Sequence, residues 1–425
     1  MSAALPSFQP KSVVVYTNTL WETPMVTLRL TGPANEAGLQ VIQGNHFEHI
    51  SPQLVSAADI VVIQRDFPRY REEYAEVFSR ARQERKWLLY EIDDLLIDMP
   101  ADHSHLGDYD WVLLSMVRAI AEADGVITST QCLADYLSAL NPNVHVFPNY
   151  LNDRIWELRQ PKPKRQSGDS LVIGYMGGET HCLDLESILP ALRKVMQRYA
   201  GKVRLRFWGG KPPEELLTFP QVEWTAIEEL DYTRFARFFM QQECDIFIAP
   251  LRDNLFNRCK SALKFLEYSA LGIPGVYSHL PSYAEVVQHG VNGFLAATLE
   301  DWEMHLCALL DSPELRQSVG LQAQHTVQSG WLLSQHRTGW LEAYQATLQG
   351  PSDSRQANLL AVLRNLENRE RQLEALIRHL EAEAGRSGGQ LADILQSRSW
   401  RMLQRLQRLR LKLVPVGSRR ERLLK

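Results

Sequence analysis

Short apolar runs rich in β-branched and aromatic residues recur along the first third of the chain, at 13–16, 39–42, 59–64, 87–92, 125–129 and 144–147. Segments of helical length separate most of them. Strand and helix alternating at this spacing imply a parallel sheet wrapped by helices. A second series begins at 171–176 and continues at 203–208, 222–225, 245–249 and 273–277. The architecture repeats although the sequence does not, so the pattern predicts an α/β protein of two Rossmann-like, doubly wound domains facing a cleft. Between the two series, LNDRIWELRQPKPKRQSGDS has little apolar periodicity and reads as a linker. We place the first domain at 1–155, the linker at 156–169 and the second domain at 170–350. A helical extension follows.

In that extension leucines recur at 359, 366, 373 and 380, with Val362 and Leu376 between them and Arg369 as an interruption. This short heptad seam over 351–389 fits either a homodimeric coiled coil or packing on the body of the same chain. From 390 onward Arg398, Arg401, Arg405, Arg408 and Lys412 make one cationic stripe, with Trp400, Leu403 and Leu406 elsewhere on the helix. A basic amphipathic helix of this kind is expected to lie on an anionic membrane surface.

Composition narrows the class. With 425 residues, 45% hydrophobic and 23% charged, the chain is globular and too long for one doubly wound domain. The net charge of −4 divides into +9 over 398–425 and −13 elsewhere, so only the tail is basic and no nucleic-acid partner is expected. Cys132, Cys182, Cys244, Cys259 and Cys307 form no C-x-x-C pair, which fits a reducing compartment and no structural zinc. The N-terminus has no apolar signal core and no run of eighteen apolar residues occurs, so a cytoplasmic location is expected. Neither a G-x-G-x-x-G after the first strand nor a P-loop is present, which removes the main support for dinucleotide or NTP-hydrolysing readings.

The candidate chemistry gathers around 245–296, which reads as strand, loop, helix, strand, helix and turn. Ser261 is expected to cap the helix, and Gly272 with Pro274 to end it. Lys260, Lys264 and Glu267 follow at steps of four and three, on one stripe. Two cations beside a helix start suit a diphosphate, and a carboxylate farther along can hold sugar hydroxyls. The alternative is a Lys264–Glu267 surface pair. Asp93 and Asp94 end a strand, with His103 and His105 in the loop after it. They are catalytic candidates, or else a cap, a turn and solvated histidines. Gly177 and Gly178, in GYMGGETHCLD, either admit a phosphate to the backbone or make a tight turn. The DYD at Asp108 precedes a predicted helix, so no metal site is expected.

KSALKFLEYSALGIPGV followed by YAEVVQHGVNGFLA resembles the donor-binding half of GT-B glycosyltransferases, in particular family 4 and its bacterial polysaccharide relatives. In that family a pair of glutamates brackets the helix start and the second binds ribose. Glu267 matches the second, and Cys259 stands at the first. VVIQRDF, YEIDDLL and VFPNYLN resemble the acceptor half, and His181 with Asp184 resembles a THxxDL stretch that implies a donor-phosphate contact. The resemblance implies a transferase in polysaccharide or cell-envelope biosynthesis that moves a sugar from a nucleotide-diphosphate donor to a glycan or lipid-linked acceptor. It further implies retention of configuration, no metal and no cofactor besides the donor, with a helix at 331–348 crossing back to the first domain. The rival from another class is an inactive GT-B scaffold assembling through its coiled coil and basic tail.

Overall fold

Two six-stranded parallel sheets carry the chain in a computed structural model that describes residues 10–159, 170–227, 231–347 and 355–387. The first contains β1 (Ser12–Thr17), β2 (Gln40–Gln43), β3 (Ile60–Gln64), β4 (Trp87–Ile92), β5 (Gly125–Thr128) and β6 (Val144–Val146), in the order β2-β1-β3-β4-β5-β6. The second contains β7 (Leu171–Gly177), β8 (Val203–Gly209), β9 (Val222–Thr225), β10 (Ile246–Ala249), β11 (Gly275–Ser278) and β12 (Phe294–Ala296), in the order β9-β8-β7-β10-β11-β12. Each strand read from the apolar runs is present. The last strand, β12, was not anticipated, because its three residues are too few to show a period.

Both faces of each sheet are covered, which is why the strands read as continuous apolar runs instead of alternating ones. Val14, Tyr16, Val61, Ile63, Leu88 and Tyr90 fill one side of the first sheet, while Val13, Val15, Ile60, Val62 and Leu89 fill the other. Strand order reverses beside β1 in one sheet and beside β7 in the other. Such switch points open a crevice at the carboxyl ends of the strands. The loops after β1, β3 and β4 meet those after β7, β8 and β10 around one cavity of about 870 Å³.

Five helices matter to that cavity: α1 (Arg71–Gln83), α2 (Leu113–Glu122), α3 (Leu263–Ala270), α4 (Gly339–Thr347) and α5 (Arg355–Ser387). The expected helix at 331–348 is shorter than its pattern. Leu151 N–H donates to the Trp331 carbonyl and Leu333 N–H to the Leu151 carbonyl, both at 2.9 Å, so the start of that segment is used in a strand-like bridge. Beyond it α4 returns to the first domain: Trp340 and Tyr344 are buried with Val13, Val15 and Phe147, and Trp340 Nε1 donates to the Arg29 carbonyl at 3.1 Å. Trp156, in the segment whose composition reads as a linker, is buried in the second-domain core beside Tyr232 and Phe239. The stretch 160–169 lies outside the described residues.

Helix α5 packs on α2 of the first domain. Leu363 is buried there, Leu360 and Leu366 are partly covered, and Glu367 pairs with Arg118 and accepts from Ser115 Oγ. Arg364 reaches Glu122 at 2.9 Å. Of the two arrangements the heptad pattern allowed, packing on the same chain is thus the one seen for this part of the helix. Leu376, by contrast, remains 49% exposed. Side chains 355–359, 361, 362 and 381–387, and the whole basic stretch 398–425, lie outside the described residues. Among the described residues no helix is long and apolar enough to cross a membrane.

Candidate active site

Helix α3 presents its stripe to the cavity, with Lys260, Ser261, Lys264 and Glu267 all on the wall. Ser261 does not cap it. The helix starts later, at Leu263, with Ala262 at the cap position and no side-chain cap. Ser261 Oγ instead accepts from Asn149 Nδ2 at 2.8 Å, tying the second domain to the first. Neither Lys264 nor Glu267 stands on an exposed helix face. Glu267 is 2% exposed, and its Oε1 accepts from the Tyr232 hydroxyl at 2.9 Å, which itself accepts from Trp156 Nε1 at 2.9 Å. Burial pushes the Glu267 carboxyl up to about 7, against the opposing pull of the Tyr232 hydrogen bond and Lys264. Burial and the nearby Lys260 charge lower Lys264 to about 8.

His181 lies across from Lys264, its Nε2 3.5 Å from the ammonium. Its Nδ1 is 2.8 Å from Asp184 Oδ2, while Asp184 Oδ1 accepts from the Arg252 backbone at 2.8 Å and from Asn257 Nδ2 at 3.0 Å. Burial works to raise Asp184, yet the hydrogen bond and charge of His181, the Arg252 N–H and the Lys260 charge together outweigh it and hold the carboxyl below the usual range. Burial and Lys264 bring His181 down to about 4. The imidazole is then neutral near pH 7, with its proton on Nδ1 toward Asp184 and its Nε2 lone pair toward the cavity. Gly177 and Gly178 end β7 on the same wall. A Cβ on Gly177 would lie 2.3 Å from the Tyr175 hydroxyl, and Gly210 N–H donates to the Gly177 carbonyl at 2.7 Å. Gly209, at φ +99°, makes that approach in a conformation side chains avoid.

The first domain contributes Asp93 and Asp94 from the end of β4. Asp93 pairs with Arg65 at 2.5 Å, and Asp94 lies between Lys260 at 3.6 Å and Arg65 at 3.9 Å. Although burial opposes it, Lys260 and Arg65 hold the Asp94 carboxyl below the usual range. Lys260 also stands over the Phe256 ring, 4.4 Å from its centroid. His103 does not join this wall. Its ring packs edge-on against Phe256 with centroids 5.0 Å apart, in a small adjoining recess that shares His181 and Lys260 with the cleft, and burial lowers its pKa. His105 lines the cleft in its place.

Several site residues escaped the reading of the sequence. Arg65 sits at φ +51°, unusual for a side-chain-bearing residue and characteristic of functional loops. It belongs to VVIQRDF, whose resemblance pointed to the loop without pointing to the arginine. Asn149 lies in VFPNYLN in the same way. Nothing in the sequence links Tyr232 to Glu267. Among the described residues no group of three or more His, Cys, Asp or Glu side chains is placed to hold a metal ion.

Residues 170–312 match the family model described as Glycosyl transferases group 1. Over 182 residues the chain is 27% identical to TuaH of Bacillus subtilis, named as a teichuronic acid biosynthesis glycosyltransferase; the match spans 40% of this chain and 44% of that protein. Among solved structures, HepE of Anabaena in complex with UDP-glucose superposes with a TM-score of 0.55 at 12% identity, over 80% of this chain and all of that one. Sucrose-phosphate synthase of Thermosynechococcus elongatus superposes at 0.56 and 12% identity, over 79% of this chain and 98% of that one. The fold is that of the GT-B glycosyltransferases.

Proposed function

We propose that the chain is a glycosyltransferase that moves a sugar from a nucleotide-diphosphate donor to a hydroxyl of a glycan or lipid-linked acceptor, in polysaccharide or cell-envelope biosynthesis. The observation that carries this reading is the convergence of Lys260, Lys264 and Glu267 on one cavity, opposite Gly177–Gly178 and at the mouth of a parallel sheet. Its support from the comparisons is the glycosyl transferases group 1 match over 170–312 and the relationship to TuaH.

In this reading the diphosphate lies between the β7 turn and α3. Its charge grows as the glycosidic bond breaks, and Lys260 and Lys264 stand where that charge develops, so no metal is required in the proposal. Lys264, lowered to about 8 by burial and Lys260, gains its proton fully when a dianion binds beside it. Glu267 holds the ribose hydroxyls. His181, fixed by Asp184, offers a neutral Nε2 toward the transferring group. Asp94 is a weak base, because Lys260 and Arg65 favour its ionised form. We therefore assign it the positioning of Lys260 and not proton abstraction. Retention of anomeric configuration belongs to the proposal, as does attachment of 398–425 to an anionic membrane from the cytoplasmic side. Pairing of two copies through the exposed part of α5, at Leu376, completes it.

The test is a calorimetric titration with UDP, GDP, ADP, CDP and their sugars, followed by donor turnover with NMR of the product anomer. Saturable binding of at least one nucleotide, lost in Lys264→Ala, supports the assignment. Absence of binding across the set would favour an inactive scaffold.

A further inference from the structure

On the first-domain wall of the cleft stands Trp111, 44% exposed. The Arg69 guanidinium covers part of the indole, 5.1 Å from the ring centroid, and is itself held by Asp66. Asp66 accepts from Asn18 Nδ2 at 3.1 Å, and Asn18 Oδ1 accepts from the Tyr70 hydroxyl at 2.8 Å. On the other flank His105 Nδ1 is 2.7 Å from Asp108 Oδ2. This part of the cleft is thus a flat ring edged by amide, carboxylate and guanidinium groups whose directions are fixed by one another. A pyranose has the matching chemistry, with an apolar C–H face for the indole and equatorial hydroxyls for the planar polar groups. The charges beside the indole are balanced as well: Arg69 is paired with Asp66, and Arg71 with Glu370 and Glu374. A phosphate bound here would have to displace a carboxylate.

Trp111 is also held from behind. Its carbonyl accepts from Arg71 Nη2 at 3.0 Å. The same guanidinium binds Glu370 at 3.1 Å and Glu374 through two bonds of 3.1 and 3.2 Å. Both glutamates belong to α5, the helix whose leucine pattern the proposed function leaves without a role in the cleft.

We infer that Trp111 is the platform for a neutral sugar of the acceptor, and that α5 braces this subsite through Arg71. The inference rests on the glycosyltransferase reading above, and its test separates the two. The full-length protein is saturated with whichever of UDP, GDP, ADP or CDP binds it, then titrated with maltose, lactose and diacetylchitobiose. The parent should bind at least one disaccharide saturably. Trp111→Ala, a change at an exposed position, should weaken it about tenfold with nucleotide affinity unchanged. Glu370→Gln with Glu374→Gln leaves the indole in place but loosens its support, and should weaken the disaccharide alone. If no nucleotide binds the parent, the reading and the inference fall together. Nucleotide binding without disaccharide binding, or equal loss of both ligands in Trp111→Ala, overturns the platform alone. Tighter binding of lactobionic acid than of lactose overturns the neutral assignment, and an unchanged disaccharide affinity in the double glutamine variant overturns the brace.

Discussion

Replacing Tyr232 by Phe removes one hydroxyl from the cleft and leaves the ring in place; it also takes the acceptor from Trp156 Nε1, a loss independent of pH, so the pH dependence reads what the hydroxyl does to Glu267. The carboxylate faces Lys264 on its own helix, Tyr232, and more remotely Tyr283; burial has brought it up to about 7. Its ionised form accepts the Tyr232 proton at 2.9 Å. A hydrogen bond to a charged acceptor contributes about 1.5–3 kcal/mol, and one pKa unit corresponds to about 1.4 kcal/mol, so losing it should raise Glu267 by about one to two units. Only the ionised carboxylate can accept from both ribose hydroxyls. Donor affinity in the parent should therefore rise with pH through about 7. In Tyr232→Phe the same rise should occur at roughly 8 to 9, leaving the variant about tenfold weaker near pH 7.5 and close to the parent at the alkaline end. The assay is calorimetric titration across pH with a nucleotide sugar, whose phosphates are diesters and do not titrate in this range. Above about 8 the loss of the Lys264 proton should lower affinity in parent and variant alike, and Glu267→Gln should lose the rising limb while keeping that fall. A rising limb in the same place in parent and Tyr232→Phe would show that the hydrogen bond does not tune the carboxylate, and the account of this wall would be wrong.

The same carboxylate should cost stability. Its folded pKa lies above the unfolded one, so the fold is favoured when it is protonated and loses that advantage as pH climbs from about 4.5 to about 7. Glu267→Gln should raise stability on the order of 3 kcal/mol at pH 8 and change it little at pH 4.5, as read by denaturant unfolding. Lys260→Ala should lower kcat about a hundredfold with a smaller change in donor KM, because the contact strengthens as the diphosphate leaves; equal kcat would remove Lys260 from the reaction. Glu367→Ala removes one of the two buried carboxylates that Arg118 pairs with, leaving Glu122 at 3.4 Å, and should destabilise by about 1.5–3 kcal/mol, or release α5, which limited proteolysis would show as cleavage near its start. Truncation after 389 should abolish salt-sensitive binding to anionic vesicles while nucleotide affinity stays constant; vesicle binding that survives truncation would refute the role given to the tail.

What made the fold legible was burial on both faces of each sheet. Val13 to Tyr16 or Ile60 to Ile63 are uninterrupted apolar runs because each successive side chain meets a different layer of helices. Three-residue β12 carries no such signal. At 331–348 the pattern was helical throughout, yet the backbone of Trp331 and Leu333 is taken by Leu151. That competition comes from a residue far away in sequence and is invisible locally. Ser261 illustrates the same limit: a serine before an apolar periodic run is a good cap, but Asn149 from the other domain claims its hydroxyl, and the helix begins later.

The site divides along the same line. Lys260, Lys264 and Glu267 were legible because their spacing alone puts them on one helix stripe, and Asp93 with Asp94 because a strand end fixes where they emerge. Their chemistry was not legible, since it is set by partners on other elements. Lys260 and Arg65 keep the half-buried Asp94 ionised, whereas Glu267, fully buried, sits among tyrosines and one lysine and is raised to about 7. The two carboxylates thus differ in protonation because Asp94 is less deeply buried and is met by two cations, whereas Glu267 is fully buried and is met by one hydroxyl and one lysine. The consequence is a division of labour across the cleft. The first-domain carboxylates are committed to holding cations in place, and the second-domain carboxylate remains responsive to the ligand that fills it. A nucleotide entering between them would meet Lys260 already oriented by Asp94 and a glutamate whose ionisation its own ribose completes.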